Sequence, residues 1–505
     1  MKNSKAPEEI QKLGETNLRF ILGLKLNQYR KRNHLSLKEL SEKSGLSVSY
    51  LNEIEKGKKY PKADKALALA ESLGVSYDEL VSLNLDGKLK RLNSILRSGF
   101  LQNFPMDAFG ISISSLMEMM AGNPEKFSSL VDTFITLGKR YDLTLHNLHF
   151  AALRSFAEIN YNYSEEIEAK VDDFCRKYDW PVLPVPEITD MQKFLTRHWR
   201  YIIDEDALSR NEDLRLIKNV FVHGRRPKLM INKALNERHI VYLMAREIGY
   251  RYLGLKERIR TSPAMDVESI AQLMNHYYAS YFARALLLNK NHLVDDLMSF
   301  FRMDQLNGAR LLDIMQKYKV NPGLFLYRLS QLLPRFFGMK DMFYLRFSHT
   351  PGTDSFKLIR ELHFGNQQDY QITGLNEHSC RRWMALRLLK RFSGVGTGEH
   401  ILGIQRMLFV ENRHEYLTIS VAQNIFDRSN DHDTGVTIGI RITEKTRQVI
   451  RFLDDPSIPR VVVGSTCERC RITDCGDRAS SPSIYFQEQK TRRQRMAVQP
   501  LLEGN

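Results

Sequence analysis

The chain has only five cysteines in 505 residues: Cys175, Cys380, Cys467, Cys470 and Cys475. An odd, sparse set of this kind excludes a secreted disulfide framework and points to a reducing cytoplasm. No apolar run reaches the roughly 18 residues of a membrane span, so no membrane partner is expected. The start, Met1 to Gln11, is polar and has no apolar core of a secretory leader. No internal repeat is present, which removes solenoid architectures. Acidic residues are outnumbered, 59 Asp and Glu against 74 Lys and Arg, giving a formal net charge of +15. That surplus favours phosphate-rich partners through Coulomb attraction and counterion release, without by itself naming one.

What is present is globular: 43% hydrophobic and 26% charged residues, in a length that holds about three or four domains. The expected architecture is mainly α with an α+β C-terminal part. An N-terminal five-helix unit over 15–85 is followed by a helical stretch over 88–180, an α+β segment over 190–338 and a mixed α/β domain over 342–490. Leu89, Leu92, Ile95 and Leu96, then Leu130, Phe134 and Leu137, recur at helical spacing, and Ser164 to Tyr178 reads as a charged amphipathic helix. Three prolines between Trp180 and Asp190 break any helix there and read as a linker or boundary.

Short strands are expected at Asn219–His223 and Lys228–Ile231, then helices at about 232–254 and 264–288. Helical pattern continues to Gly338, broken at Asn321-Pro322-Gly323. Beyond Met342 the apolar period shortens towards two. The strands expected are FYLRF at 343–347, YLTISVA at 416–422, GVTIGIRI at 435–442 and RVVVG at 460–464. The last fifteen residues, rich in Lys, Arg and Gln, read as loose.

The most informative segment runs from Leu18 to Leu80. Ser36, with Glu39 three residues on, is a capping box opening a helix from Leu37 to Ser44. Gly45 stands where a helix ends with positive φ, Leu46 is an apolar plug, and Ser47 caps a second helix from Val48 to Glu55. Two short helices about a tight glycine turn present the second one to the major groove of DNA. Leu37, Leu40, Leu46, Leu51 and Ile54 would fill the small core. Ser47, Ser49, Tyr50, Asn52 and Glu53 would face outward to base edges and phosphates. Lys56, Lys58 and Lys59 would meet the backbone, Gln28, Arg30 and Lys31 stand where such domains also touch phosphate, and Ser36 is expected among the DNA-binding residues. The plainer alternative is a helical protein-binding bundle. The segment, including Glu55, Gly57 and Pro61, resembles the phage-repressor-like helix-turn-helix family. That resemblance implies a double-stranded, partly palindromic operator bound by a homodimer.

Residues 229–288 resemble a zinc peptidase family in which one helix carries H-E-x-x-H and a second supplies an acidic ligand. The A-x-x-F-A-x-x-L-L pattern of the second helix is intact as Ala279, Phe282, Ala283, Leu286 and Leu287. At the motif's own positions stand Arg246, Glu247, Ile248, Gly249 and Tyr250. Arg keeps its proton and cannot ligate zinc, and Glu247 without a metal-bound water has nothing to activate. The third ligand position falls near His276 or Tyr277, neither a carboxylate. A rescue by His239 and His276 is the way to a zinc-dependent protease acting on a repressor or toxin. The other reading is a retained scaffold, so no catalysis is expected.

The C-terminal run from Arg460 to Pro482 contains C-x-x-C-x-x-x-x-C, Cys467, Cys470 and Cys475, followed by Gly-Asp-Arg-Ala. Three thiolates could hold a structural zinc, with His432 or Cys380 as a fourth ligand. They could equally be packed thiols, or redox sensors tuned by Arg469, Arg471 and Arg478. The same arginines could clamp phosphate. Domain order, length and the cysteine run, with Asp474, Arg478 and Ala479, resemble the short-chain fatty acyl-CoA regulator family of bacterial transcription factors. That family carries Cys-Pro-Leu-Trp mid-domain, where this chain keeps only Cys380 and Trp383 in HSCRRWMALRLL. The resemblance implies a cytoplasmic regulator controlled by an acyl-CoA-like effector. An antitoxin-like protein-binding module is the remaining alternative.

Overall fold

The computed structural model describes residues 15–83, 85, isolated positions between 109 and 133, 145–265, 267–365, 377–392, 400–424 and 433–502. Most of the helical pattern expected over 88–144, and His432, lie outside the described residues. Two compact units form: one through Phe156 together with Glu268–Ala271, the other made of the remaining chain.

Among the described residues, the first unit begins with five helices: α1 Glu15–Arg32, α2 Leu37–Ser44, α3 Val48–Glu55, α4 Ala63–Leu73 and α5 Tyr77–Val81. Leu40, Leu51, Ile54, Leu69 and Leu80 are fully buried, with Leu37 and Leu46 partly buried against them. One buried cation has no signature in the local sequence. Lys25 donates from Nζ to the Glu79 and Ser82 carbonyl oxygens, at 2.7 and 2.8 Å. It thereby satisfies carbonyls that the end of α5 leaves open.

Helix α6 Leu145–Ile159 crosses the division between the units. The second unit then runs through α7 Glu165–Tyr178 and α8 Ile188–Trp199. Between these two the prolines break the helix but do not free the chain. Trp180 is buried, with its ring 5.3 Å from Phe174 and 4.9 Å from Phe194. An aromatic core overrides the linker pattern. A small sheet follows, of strands β1 Ile202–Asp204, β2 Asn219–Val222 and β3 Lys228–Ile231, then helix α9 Glu237–Tyr252 and strand β4 Thr261–Ser262. Its order is β1-β3-β2-β4. Helix α10 Ile270–Leu287 comes next, and at Gly249 in α9 an added Cβ would lie 2.8 Å from the Ala279 carbonyl oxygen. Only glycine lets the two helices approach this closely.

Helices α11 Lys290–Phe301, α12 Gly308–Lys317 and α13 Pro322–Phe336 lead to the large sheet. Pro322 is at the first position of α13 and Asn321 caps it, so the expected break is a helix start. The sheet holds β5 Met342–His349, β6 Phe356–Phe364, β7 His400–Phe409, β8 Glu415–Gln423, β9 Asp433–Arg441 and β10 Arg460–Val463, in the order β10-β7-β8-β9-β5-β6. Helix α14 Met384–Phe392 packs on one face, where Gly403 and Gly435 leave room for Met384 and Leu389. Phe343, Leu345 and Phe347 join that core with Trp383. By the two-residue period of a strand, Tyr344 and Arg346 take the opposite face. A short α15 Glu444–Val449 precedes β10, and α16 Ser483–Leu502 closes the described chain. The tail expected to be loose is therefore helical through Leu502, although no residue of α16 is buried.

Candidate nucleic-acid interface

The α2–turn–α3 unit is fixed by three local devices. Ser36 Oγ accepts the Glu39 N–H at 3.1 Å, and Glu39 Oε2 accepts the Ser36 N–H at 2.7 Å. These two hydrogen bonds hold the exposed Glu39 carboxyl below its ordinary range. Gly45 ends α2 at φ 71°, a left-handed conformation that costs glycine little. Ser47 Oγ then accepts the Tyr50 N–H at 3.2 Å and starts α3. Ser36 and Ser47 are exposed, and both hydroxyls carry out capping before any contact with DNA.

Helix α3 buries Leu51 and Ile54 and turns its other residues outward. Val48 and Ser49 are exposed; Tyr50, Asn52 and Glu53 are half-buried. Lys56 is half-buried and Lys58 exposed, just beyond the helix, while Gln28 is half-buried on α1. The predicted residues on α3 thus share one solvent-facing surface. Two of its members are held in place by partners that local sequence does not reveal. The Lys65 ammonium sits 4.5 Å from the Tyr50 ring centroid, and Lys59 pairs with Glu53 at 2.7 Å.

Arg30, expected to touch phosphate, is committed elsewhere. Its Nε and Nη2 donate to the two Glu55 carboxylate oxygens at 2.5 and 2.9 Å, and its Nη1 donates to the Leu35 carbonyl at 2.8 Å. Asn27 adds a donation to Glu55 at 2.8 Å. This fork ties α1 to the end of α3 and sets the angle of the presented helix.

The family model described as helix-turn-helix, HTH_3, matches residues 26–80. Over 66 residues the chain is 33% identical to the uncharacterized HTH-type transcriptional regulator y4dJ of Sinorhizobium fredii, a stretch that is 13% of this chain and 86% of that protein. This chain belongs to the HTH-type transcriptional regulators. The matched residues all lie in the first unit, so the DNA-binding function of this regulator resides there. A solved Mycobacterium tuberculosis transcriptional regulator also aligns, at a TM-score of 0.45 and 14% identity over 66% of this chain and 93% of that one.

In the second unit, the positions compared above with H-E-x-x-H form a closed polar core. Glu247 is fully buried and accepts from Arg258 at both oxygens, at 2.9 and 2.5 Å, and from the Tyr201 hydroxyl at 3.1 Å. Arg246 donates to Asn219 Oδ1 at 2.8 Å. The Tyr250 hydroxyl meets His276 Nδ1 at 2.9 Å. Burial, together with Arg246 and other nearby cations, keeps the His276 imidazole well below its ordinary pKa.

Cys380, Cys467 and Cys470 are buried about the Gly464–Thr466 turn, and Cys475 is half-buried. The Cys380 N–H donates to the Ser465 carbonyl at 3.2 Å. Trp383 Nε1 donates to the Gly464 carbonyl at 3.0 Å, and Cys470 Sγ would lie 2.7 Å from a Cβ at Gly464. Burial pushes the Cys380 thiol up to about 12 and raises Cys470 as well, which is opposite to activation as thiolates. Among the described residues no group of three or more His, Cys, Asp or Glu is placed to hold a metal. Two of the nearby arginines are occupied. Arg478 donates to the Cys467 carbonyl at 2.6 Å and to Ile472, and Arg469 forks onto Glu377.

Proposed function

We propose that this regulator reads a specific operator through Ser49, Tyr50 and Asn52 of α3. Ser36, Ser47 and Gln28 fix its approach, and Lys56 and Lys58 grip phosphate. The observation that supports this reading is a partly exposed polar face on a helix whose start, end and tilt are each locked. Half or more of protein–DNA hydrogen bonds go to phosphate and sugar, which position the protein, and a few base-edge contacts specify sequence. Asn is suited to adenine, and the Tyr50 ring, steadied by Lys65, can pack on a thymine methyl or donate from its hydroxyl. The chain acts as a homodimer in the cytoplasm on a partly palindromic operator.

Its second unit is a sensor without catalysis, responding to a metabolite of the short-chain acyl-CoA class. The Glu247–Arg258 pair supports the non-catalytic part, because a carboxylate saturated by a guanidinium fork is a poor base. The test selects an operator from random duplexes with the full-length protein, then compares Asn52→Ala and Lys58→Ala on it, with and without propionyl-CoA. A sequence-dependent loss for the first and a sequence-independent loss for the second support the interface. Unchanged operator affinity in both removes it, and no response to the thioester removes the effector.

A further inference from the structure

The opposite face of the large sheet from α14 holds a feature that DNA binding does not use. A cavity of about 90 Å³ lies where α9, α10 and the start of α13 meet strands β5, β6, β8 and β9. Arg284, Arg346 and Arg360 line it, with His239 and the rings of Tyr242 and Tyr327. Arg346 and Arg360 are direct cross-strand partners, in register on β5 and β6. Like charges set opposite one another in a sheet are destabilising. Proteins relieve such a pair with an acid, but the groups acting most strongly on Arg346 and Arg360 are tyrosines and, for Arg346, Arg360 itself. Among the described residues, none of the three arginines makes a salt bridge.

The surroundings deepen the imbalance. Lys218 and Arg246 act on the same space, and the charged groups felt by Lys218 are Arg346, Arg246 and Arg360. Burial first, and those arginines second, push the Lys218 ammonium down to about 7. Burial would raise the Tyr242 phenol, yet Arg284 and Arg246 pull it below its ordinary range. His239 is held well below its usual pKa by burial, then by Lys218, Arg346 and Arg246. Arg284 is 4% exposed and Arg246 5%, and the Nε atoms of Arg246, Arg284 and Arg346 are buried without a hydrogen-bond partner. The Arg284 guanidinium lies 4.3 Å from the Tyr327 ring centroid and Arg360 5.4 Å from it, so one ring carries part of both charges. The N-terminus of α13 also faces the cavity through Asn321, Gly323 and Leu324, adding partial positive charge. Arg360 is exposed and Arg346 half-buried, which leaves the cavity open on the β6 side.

Cations without a counter-charge in a partly buried site are costly, most of all the buried Arg284, and a group of them about a hollow is stabilised when an anion completes it. Guanidinium forks match phosphate and carboxylate oxygens. The volume sets a limit. Sites for drug-sized ligands run to about 300–1,000 Å³, whereas this one holds a compact group. We infer that the cavity formed by Arg284, Arg346 and Arg360 is a binding site for a compact, multiply charged anion, a phosphate-bearing or polycarboxylate metabolite or the phosphate end of a larger one. That this anion controls operator binding rests on the sensor reading above; the site itself does not.

The experiment is calorimetric titration and thermal shift of the full-length protein with sodium pyrophosphate, sodium citrate and propionyl-CoA, at constant ionic strength against sodium chloride. Saturable binding of pyrophosphate or citrate, weakened about ten-fold or more in Arg360→Gln, is the expected result, since a charged hydrogen bond carries that much. Arg360 is exposed, so this variant keeps its fold where Arg284→Gln can fail. Preference for pyrophosphate identifies a phosphate-bearing ligand, and preference for citrate a carboxylate one. Binding of pyrophosphate with none of propionyl-CoA supports the anion site and removes the thioester. Absence of saturable binding by both small anions, or equal binding by wild type and Arg360→Gln, overturns the inference.

Discussion

Asn52 and Lys58 lie six residues apart and are predicted to fail in different ways. Asn52→Ala removes a base-edge contact and should cost roughly 1–3 kcal/mol on the preferred operator, with little change on random duplex. Lys58→Ala should weaken binding to all DNA and reduce the salt-dependence slope by about one, measured by titration at several salt concentrations. Glu247 makes the opposite kind of prediction. Removing one partner of a buried pair leaves the other charge stranded, so Glu247→Ala should destabilise the second unit by about 3–5 kcal/mol in denaturant unfolding, with operator affinity of the folded protein retained. Ser36, Gly45 and Ser47 are legible in sequence because capping is a local affair within a few residues. Arg30 reads as a phosphate contact in the sequence because its true partner, Glu55, lies 25 residues away and no local rule pairs them.

At the scale of elements, the bounds of α2 and α3 and the strands β5, β8, β9 and β10 follow from periodicity and punctuation in the chain, whereas β6 and β7 carry no such signal and are not expected from it. Elements whose partners are distant are less visible. Trp180 sits beside helix-breaking prolines, yet tertiary packing on Phe174 and Phe194 decides its place. Helix α16 shows no buried face, so no apolar period announces it. The turn before α3 offers a direct test. Ser47→Ala removes the hydroxyl that caps the Tyr50 N–H and should lower the stability of the first unit by about 1 kcal/mol, read by thermal or denaturant unfolding. Gly45→Val, at φ 71°, should cost more, because a β-branched residue is disfavoured in left-handed backbone.

For the whole molecule, charge is distributed in a way that net composition conceals. The surplus of +15 is not confined to the DNA-facing surface, since Arg284, Arg346 and Arg360 gather about a hollow against the large sheet. No sequence rule places those residues together, because they come from three elements and meet only after the large sheet forms. Stability should also depend on pH. His239 and His276 are neutral in the fold at pH values where the unfolded chain protonates them, so stability falls as pH drops below about 6.5. Lys218, depressed to about 7, is charged in the unfolded chain but neutral in the fold between pH 7 and about 10.4, so its contribution rises with pH across that window. Unfolding measured from about pH 5 to 9 should show both slopes, and Lys218→Met should flatten the upper one.

Base reading by α3 is the step on which the proposed operator recognition depends. The most direct measurement is the ratio of operator to random-duplex affinity for wild type and Asn52→Ala, in the full-length protein at one fixed salt concentration. The substitution is predicted to lower this ratio by about ten-fold or more while random-duplex affinity stays within about two-fold, on the order expected for one base contact. An unchanged ratio, or an equal fall on both duplexes, contradicts the claim.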